Sequence, residues 1–202
     1  MQTWEQWSRE CRAFFEPIWP QRPLVMGDGC KARPPLMLIG EAPGEQESLQ
    51  GKPFVGKAGK NLTEFVDALG LKRGDLYISN VVKVRPTKQS AAGNTVNRPP
   101  NREEIELFTP WLMREIALVR PHALVTLGNV ALGAFCAGKE TIGACHGQWR
   151  RAVVCPPKDA AFTLPLFPLY HPASVIYRRE LLATYQEDLR KLAETLTSPH
   201  DI

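Results

Sequence analysis

The sequence predicts an α/β fold in which helices cover both faces of a mainly parallel sheet. Short apolar runs alternate with amphipathic segments along the chain, and no repeat, low-complexity block or linker divides it. Strands that alternate with helices form parallel sheets with helices on both sides. The 202 residues are 44% hydrophobic, which is enough for one well-buried core. We therefore expect a single domain over residues 1–202.

The strands are predicted from short runs of apolar, β-branched and aromatic residues. The run at Leu36–Ile39 lies between two prolines and Gly40, a pattern typical of a strand buried on both faces. The run LYISNVV at Leu76–Val82 is rich in β-branched and aromatic residues. Further strands are predicted at Ala123–Leu127, Gln148–Val154 and Leu164–Leu169.

The helices are predicted from apolar residues at helical spacing and from residues that cap helix ends. Asn101 and Glu104 resemble a capping box that opens a helix, and Pro110 is expected to break or kink this helix. The predicted helices cover Asn61–Leu69, Asn101–Val119, Asn129–Cys136 and Arg178–Leu196. Residues 193–202 are expected to form a flexible tail.

Composition excludes several classes of protein. The charged fraction of 23% and the apolar content are those of globular chains, which excludes disorder, collagen and coiled coil. No stretch approaches the roughly 18 uncharged apolar residues of a membrane helix. The first 12 residues contain acids and arginines rather than a signal-peptide pattern. We therefore expect a cytoplasmic protein without a membrane partner. The net charge of +4 is compatible with a polyanionic partner.

The five cysteines show no repeated spacing typical of a metal site. An odd number of cysteines in a cytoplasmic chain predicts free thiols. They are Cys11, Cys30, Cys136, Cys145 and Cys155.

The segments richest in turn-forming residues each follow a predicted strand. In open α/β sheets, sites lie at the carboxyl ends of the strands. The first segment, GEAPGEQESLQGKPFVGKAG at Gly40–Gly59, is neither a P-loop nor a dinucleotide fingerprint. Its glycines and prolines instead predict a rigid loop whose backbone N–H groups can hold an anionic oxygen.

Five segments in order resemble motifs of the family 4 uracil-DNA glycosylases, and the resemblance spans residues 25–192. It implies a three-layer αβα sandwich with a central, mainly parallel four-stranded sheet. It also implies a monofunctional enzyme of base-excision repair, which flips uracil out of DNA and hydrolyses its N-glycosidic bond without a lyase step. The segments are Gly40–Gly59, SNVVKVRP at Ser79–Pro86, NRPPNREEI at Asn97–Ile105, PHALVTLG at Pro121–Gly128 and YHPAS at Tyr170–Ser174.

The resemblance also implies the roles of individual residues. Phe54 matches the aromatic residue that stacks on uracil, Asn80 matches the amide that reads its polar edge, and His171 matches the histidine that approaches its O2. The implied catalytic residues are Glu41, Glu47 and His171, and the implied uracil-binding residues are Ala42, Phe54, Asn80 and His171. A buried amide can distinguish uracil from cytosine because the wrong base leaves polar groups unpaired.

A basic run and the segment after His171 predict the contacts to DNA. The chain from Lys83 to Arg102 holds five Lys or Arg residues and no acid. Cations contact phosphates, and apolar residues wedge into the gap that a flipped base leaves. The predicted DNA-binding residues are Lys83, Arg85, Lys88, Ser174, Val175, Ile176, Tyr177 and Arg178, and the wedge is one of Val175, Ile176 and Tyr177. The loop 87–96 is longer than is usual in the family. The expected substrate is uracil-containing DNA, single- or double-stranded, bound by a monomer.

The chain departs from the family at its cofactor. The family holds a four-iron four-sulfur cluster on four cysteines, and the matching positions here are Cys11, Phe14, Val84 and Phe108. One thiolate cannot hold such a cluster. We therefore expect no iron-sulfur cluster, no other cofactor and no metal, with apolar packing in place of the cluster.

Two alternative functions remain open. The same fold can act on another deaminated base, hypoxanthine or xanthine, although Asn80 favours uracil. The chain can also be a DNA-binding module without catalysis, although such a module has no chemical need for Glu41, Phe54, Asn80 and His171 together.

Overall fold

In the part of the chain that this computed structural model describes, eight strands form a central sheet and a separate hairpin. The structure describes residues 2–136 and 140–197, apart from the side chains of residues 176, 177 and 197. The strands are β1 (Asp28–Gly29), β2 (Leu36–Gly40), β3 (Tyr77–Asn80), β4 (Thr87–Gln89), β5 (Thr95–Asn97), β6 (Ala123–Leu127), β7 (Arg150–Val154) and β8 (Phe162–Leu169).

The central sheet has the strand order β1-β3-β2-β6-β8-β7. Strands β3, β2, β6 and β8 run parallel to one another, and β1 and β7 add an antiparallel strand at each edge. The prediction of a mainly parallel sheet is confirmed, and its four parallel strands are extended at both edges.

Eight α-helices cover the sheet in the described ranges, 2–136 and 140–197. They are α1 (Trp4–Phe15), α2 (Glu45–Gln50), α3 (Lys57–Ala68), α4 (Arg102–Val119), α5 (Asn129–Cys136), α6 (Ile142–Cys145), α7 (Pro172–Tyr177) and α8 (Leu182–Thr197), with short 3₁₀ turns at Arg73–Asp75 and Arg179–Leu181.

The side chains of β2 alternate between two cores. Met37 and Ile39 pack in the core formed with α1, α4 and α5. Leu36 and Leu38 pack in the core formed with α3 and α8. A strand that is buried on both faces reads as a continuous apolar run, as the sequence shows here. The three-layer αβα arrangement is therefore confirmed.

Two predictions about helices differ from the structure. Helix α4 continues through Pro110, so the predicted break is wrong, whereas a kink at Pro110 stays a prediction. The helix continues because the buried face formed by Phe108, Leu112 and Ile116 outweighs the missing hydrogen bond. Residues 193–197 belong to α8 rather than to a flexible tail, and the remaining residues of that predicted tail lie outside the described part. No helix within the described residues is long and apolar enough to span a bilayer.

Candidate active site

The carboxyl ends of three parallel strands bring the predicted site residues together. Glu41 follows β2, Asn80 ends β3, and His171 follows β8 by two residues. They border a pocket of about 660 Å³. Its lining includes Glu41, Ala42, Glu47, Phe54, Asn80 and His171, together with Ser174. The structure therefore collects all the predicted catalytic and uracil-binding residues in one place.

The Asn80 side chain is only 2% exposed, and it presents an unsatisfied acceptor. Within the described residues, the Asn80 Oδ1 atom is buried without a hydrogen-bond partner. Buried polar atoms are almost always paired, so an unpaired one at a pocket indicates a place for a ligand donor. Gly40 makes this position possible, because a Cβ atom there would lie 2.4 Å from Asn80 Oδ1 and 2.6 Å from the Phe54 ring.

Phe54 is held in a backbone conformation that side chains rarely adopt. Its φ angle is +52°, and its ring lies 5.9 Å from the His171 ring, centroid to centroid. The Arg73 guanidinium donates to the Phe54 carbonyl at 3.2 Å and to the Pro53 carbonyl at 2.5 Å. Gly59 allows the loop to approach α3, since a Cβ atom there would lie 2.0 Å from the Phe54 carbonyl oxygen. These contacts stabilise the strained residue and fix its ring in the pocket.

Glu47 holds the loop together through its carboxylate. Glu47 Oε2 accepts from the Gly44 N–H at 3.1 Å, and Oε1 accepts from the N–H groups of Val55 and Gly56 at 3.0 and 2.7 Å. These bonds join the two ends of the loop that carries Phe54. Bonds from backbone N–H groups to a carboxylate are among the stronger hydrogen bonds in proteins.

His171 is oriented by the first turn of α7. Its Nδ1 atom accepts from the Ala173 N–H at 3.2 Å, which makes Nε2 the nitrogen that carries the proton in the neutral ring. Burial lowers the pKa of His171 below its usual value. The pocket therefore contains a neutral imidazole that donates from Nε2.

The Glu41 carboxyl, unlike that of Glu47, is not held by hydrogen bonds from the loop within the described part of the chain. Burial raises the pKa of the Glu41 carboxyl above its usual value. No hydrogen bond or ion pair joins this carboxyl to any other side chain in the described residues. A carboxylate with a raised pKa and no partner is suited to accept a proton.

The prediction that Lys83 contacts DNA is wrong. The Lys83 side chain is 0% exposed, and its ammonium pairs with Glu115 of α4 at 2.6 Å. A phosphate cannot reach a cation inside the core.

Carboxylates also neutralise most of the remaining basic run. Arg85 pairs with Glu45, Arg98 pairs with Glu104, and Arg102 pairs with Glu106. Lys88 is exposed on β4, and no carboxylate pairs with it within the described residues. The loop 87–96 forms most of the β4–β5 hairpin, so Lys88 extends from a structured element rather than from a loose loop.

The predictions of DNA contacts for the segment after His171 have different outcomes from residue to residue. Val175 is 8% exposed and packs in the core with α3 and α8, so its prediction as the wedge is wrong for this conformation. The side chains of Ile176 and Tyr177 lie outside the described part. Ser174 lines the pocket, and Arg178 is exposed at the end of α7, where its backbone N–H donates to the Ser174 carbonyl at 2.9 Å.

Sequence reasoning missed several residues of the pocket. Lys57, which is exposed at the first position of α3, lines the pocket together with Asn97 and Arg98. All three lie within the motifs that carry the resemblance, so their position beside the other site residues was an available signal. Arg73 lies outside every motif, and only the fold brings it to Phe54.

The positions that match cluster ligands lie mostly in the core. Val84, Phe108 and Cys11 are fully buried in the same apolar cluster. The Phe108 ring stacks on Phe15 at 4.0 Å between centroids. Burial raises the pKa of the Cys11 thiol to about 12. Phe14 is 45% exposed and packs against neighbouring aromatic rings instead of facing this cluster.

Comparison with known proteins identifies relatives over most of the chain. The profile of the uracil DNA glycosylase superfamily matches residues 26–197. The chain is 37% identical over 187 residues to the type-4 uracil-DNA glycosylase of Saccharolobus solfataricus, covering 90% of this chain and 80% of that protein. It is 37% identical over 163 residues to the type-4 uracil-DNA glycosylase of Archaeoglobus fulgidus, covering 79% of this chain and 75% of that protein.

A solved structure adds evidence on the fold. Wild-type SMUG2 of Pedobacter heparinus is similar with a TM-score of 0.53 and 15% identity, over 98% of this chain and 85% of that chain. The superfamily match and the identity to the two relatives together mean that the chain belongs to the type-4 uracil-DNA glycosylases, within the uracil DNA glycosylase superfamily.

Proposed function

We propose that the protein is a monofunctional uracil-DNA glycosylase, which hydrolyses the bond between uracil and deoxyribose in DNA. The observation that carries the proposal is the pocket at the carboxyl edge of the sheet. It combines an aromatic ring, an unsatisfied amide oxygen, a neutral imidazole and a carboxylate of raised pKa. Excision of a base needs each of these: stacking, recognition of the base edge, stabilisation of the leaving base and activation of water.

The pocket selects uracil through Asn80 and Phe54. Asn80 Oδ1 accepts the proton of uracil N3, and its amide N–H₂ donates to O4. Cytosine presents the opposite pattern, an acceptor at N3 and a donor at N4, and it would leave buried polar groups unpaired. Stacking on Phe54 offsets part of the cost of flipping, by about 1–3 kcal/mol.

His171 and Glu41 carry the chemistry. The bonding electrons move to uracil as the bond breaks, and the Nε2–H group of His171 donates to the developing anion at O2. We assign Glu41 to activate water and to stabilise the positive charge of the sugar. Glu47 acts through the loop, since three backbone N–H groups already bond its carboxylate.

Three exposed cations form the proposed contact with the DNA backbone. Lys57 lines the pocket, Arg178 is exposed at the C-terminal end of α7, and Lys88 extends from the hairpin. Ser174 lines the pocket and contacts the adjacent phosphate. The proposed partner is uracil-containing DNA, single- or double-stranded, bound by a monomer in the cytoplasm.

We also propose that the protein works without an iron-sulfur cluster. Three of the four family ligand positions hold Phe14, Val84 and Phe108, which have no metal-binding atom. The fourth holds a thiol whose pKa of about 12 opposes the thiolate form that clusters require. These residues do not fit the cluster.

Excision assays test the proposed function. The protein is incubated with uracil in single strands, in U:G pairs and in U:A pairs, and abasic sites are then cleaved with alkali. We expect cleavage only after alkali and no borohydride-trapped intermediate, with His171→Ala slower by about 10²–10³-fold. Substrates with hypoxanthine and xanthine test the alternative base. A folded preparation that releases no uracil from any substrate would contradict the proposal.

A further inference from the structure

A fully buried lysine lies directly behind the proposed base-reading residue. The Lys83 ammonium donates to Ser79 Oγ at 2.7 Å, to the Asn80 carbonyl at 2.6 Å and to Glu115 Oε2 at 2.6 Å. An ammonium has three N–H donors, and here each has an acceptor. The charge is therefore fully paired, and one of its three bonds holds the backbone of Asn80.

The partner of this lysine belongs to a larger buried network. Glu115 accepts from the hydroxyl groups of Tyr77 at 2.8 Å and of Ser79 at 3.1 Å. Tyr77 Oη in turn accepts from Trp4 Nε1 at 2.6 Å. The network joins α1, β3 and α4, so it holds the carboxyl end of β3 from inside the fold.

A buried ion pair is a poor source of stability, because apolar residues of similar volume often stabilise a core equally well. In some proteins, such a pair instead serves to fix the geometry of the groups around it. The residue held by the Lys83–Glu115 pair is Asn80, whose Oδ1 atom is buried without a partner within the described residues. This atom lies against Gly40, 2.4 Å from where a Cβ atom would be, and a small rotation of the Asn80 backbone would move it.

We infer that Lys83 is a positioning residue for base recognition. Its ammonium, paired with Glu115, holds the Asn80 carbonyl and thereby directs the Asn80 amide at the polar edge of the base. Lys83 does not touch the substrate and acts through Asn80. The inference rests on the proposed function, since Asn80 reads uracil only if the pocket takes uracil.

A double-mutant cycle tests the inference. Removing Lys83 alone would leave Glu115 buried and unpaired, so the variant is Lys83→Met with Glu115→Gln, which removes both charges together. We expect single-turnover uracil excision to fall by about 10–100-fold, as misplacement of a positioned group does. In an Asn80→Ala background the same pair of changes should have an effect of only about twofold. An equal loss in both backgrounds would overturn the inference.

Tyr77→Phe is the matched control. It removes one hydroxyl group from the same network without touching Lys83 or Asn80. We expect the thermal stability to fall and the excision rate to stay within about twofold. If Tyr77→Phe slows excision as much as the Lys83→Met, Glu115→Gln double variant does, the network acts only through stability and the inference is wrong.

A measurement that needs no catalysis separates this inference from the proposed function. In protein labelled with ¹⁵N-asparagine, the Asn80 side-chain amide signals are assigned by their loss in Asn80→Ala. We expect one sharp pair of Asn80 amide signals in the wild type and in Tyr77→Phe. In the Lys83→Met, Glu115→Gln double variant we expect shifted or multiple signals. Unchanged signals in the double variant would refute the role of Lys83. A wild-type protein that excises no uracil would refute the function, while these signals still decide the role of Lys83.

Discussion

At the residue scale, the absence of a side chain at Gly40 sets the shape of the pocket. The Asn80 amide and the Phe54 ring both occupy the space that a Cβ atom at Gly40 would fill. Contacts under 3.0 Å require one of these groups to shift, and both belong to the proposed uracil site. The narrow space therefore fixes the stacking group and the base-reading group relative to one another.

Asn80→Asp should change which base the pocket accepts. The carboxylate has no donor for uracil O4, and the unpaired acceptors cost about 1–3 kcal/mol. We expect slower uracil excision and a higher ratio of cytosine to uracil excision, measured on matched strands. Asn97→Asp, the same change elsewhere in the pocket lining, should leave that ratio unchanged. Equal ratios in wild type and Asn80→Asp would exclude base reading by Asn80.

The pH dependence of excision should follow Glu41. Burial raises its pKa, so the active carboxylate is lost as the pH falls through a value above the ordinary carboxyl range near 4.3. We expect the single-turnover rate to fall on this acid side in the wild type. Glu41→Gln should be slow and insensitive to pH over the same range.

His171→Asn is the control for this pH profile, because asparagine keeps an N–H donor that does not titrate. The acid limb should persist in this variant at a lower overall rate. Loss of the limb in His171→Asn, with the limb kept in Glu41→Gln, would assign the titration to the histidine instead.

At the element scale, the loop between β2 and α3 behaves as one rigid unit. Glu47 joins its two ends, and Arg73 holds the carbonyls of Pro53 and Phe54 from outside. These contacts stabilise Phe54 at its positive φ angle. The loop therefore contributes to the proposed site by fixing the position of the Phe54 ring.

Glu47→Gln should weaken the hydrogen bonds that hold the loop between β2 and α3 together. The amide loses the charge that strengthens the three N–H bonds, and its NH₂ group faces donors instead of accepting from them. We expect uracil excision to slow by at least about tenfold, with a weaker response to Phe54→Ala than in the wild type. Glu45→Gln, an exposed glutamate of α2, is the matched control and should excise at close to the wild-type rate. A Glu47→Gln protein as active as Glu45→Gln would show that the loop does not depend on this carboxylate.

The elements also show what the sequence could predict. Strands β2, β3, β6, β7 and β8 were predictable, as were the residues at the carboxyl ends of the parallel strands, because apolar runs and turn-forming residues are local signals. The short strands β1, β4 and β5 were missed, since none of them contains an apolar run. Helix α1 was missed, although a capping box between Thr3 and Gln6 begins it. The burial of Lys83 could not be predicted, since its partner Glu115 lies 32 residues away and only the fold brings the charges together. The charge run therefore resembled a solvated basic loop.

At the scale of the whole molecule, aromatic packing holds the N-terminal segment to helix α4. Phe108 of α4 stacks on Phe15 of α1 at 4.0 Å, and Trp19 stacks on both rings. The family cluster would be ligated from α1, from position 84 and from α4. In this chain apolar contacts join the same three segments.

Phe108→Ala should therefore destabilise the entire fold. Loss of a fully buried phenyl ring costs about 3–5 kcal/mol. Chemical unfolding measures this difference, and Phe14→Ala, at an exposed ring of the same region, should cost clearly less. Equal losses for the two variants would mean that the buried stack does not carry the stability.

The same packing predicts that the protein needs no iron. Cys11 is the single sulfur at the four matched positions, and its high pKa keeps it a neutral thiol at physiological pH. We expect purified protein to contain far less than one equivalent of iron and sulfide, and to excise uracil at the same rate after treatment with a chelator. Cys11→Ala should retain this rate and lose only the stability of one small buried side chain. A cluster protein would behave differently, because removing a ligand would release iron and unfold the region around it. Stoichiometric iron that disappears in Cys11→Ala would therefore show that a cluster assembles in spite of the missing ligands.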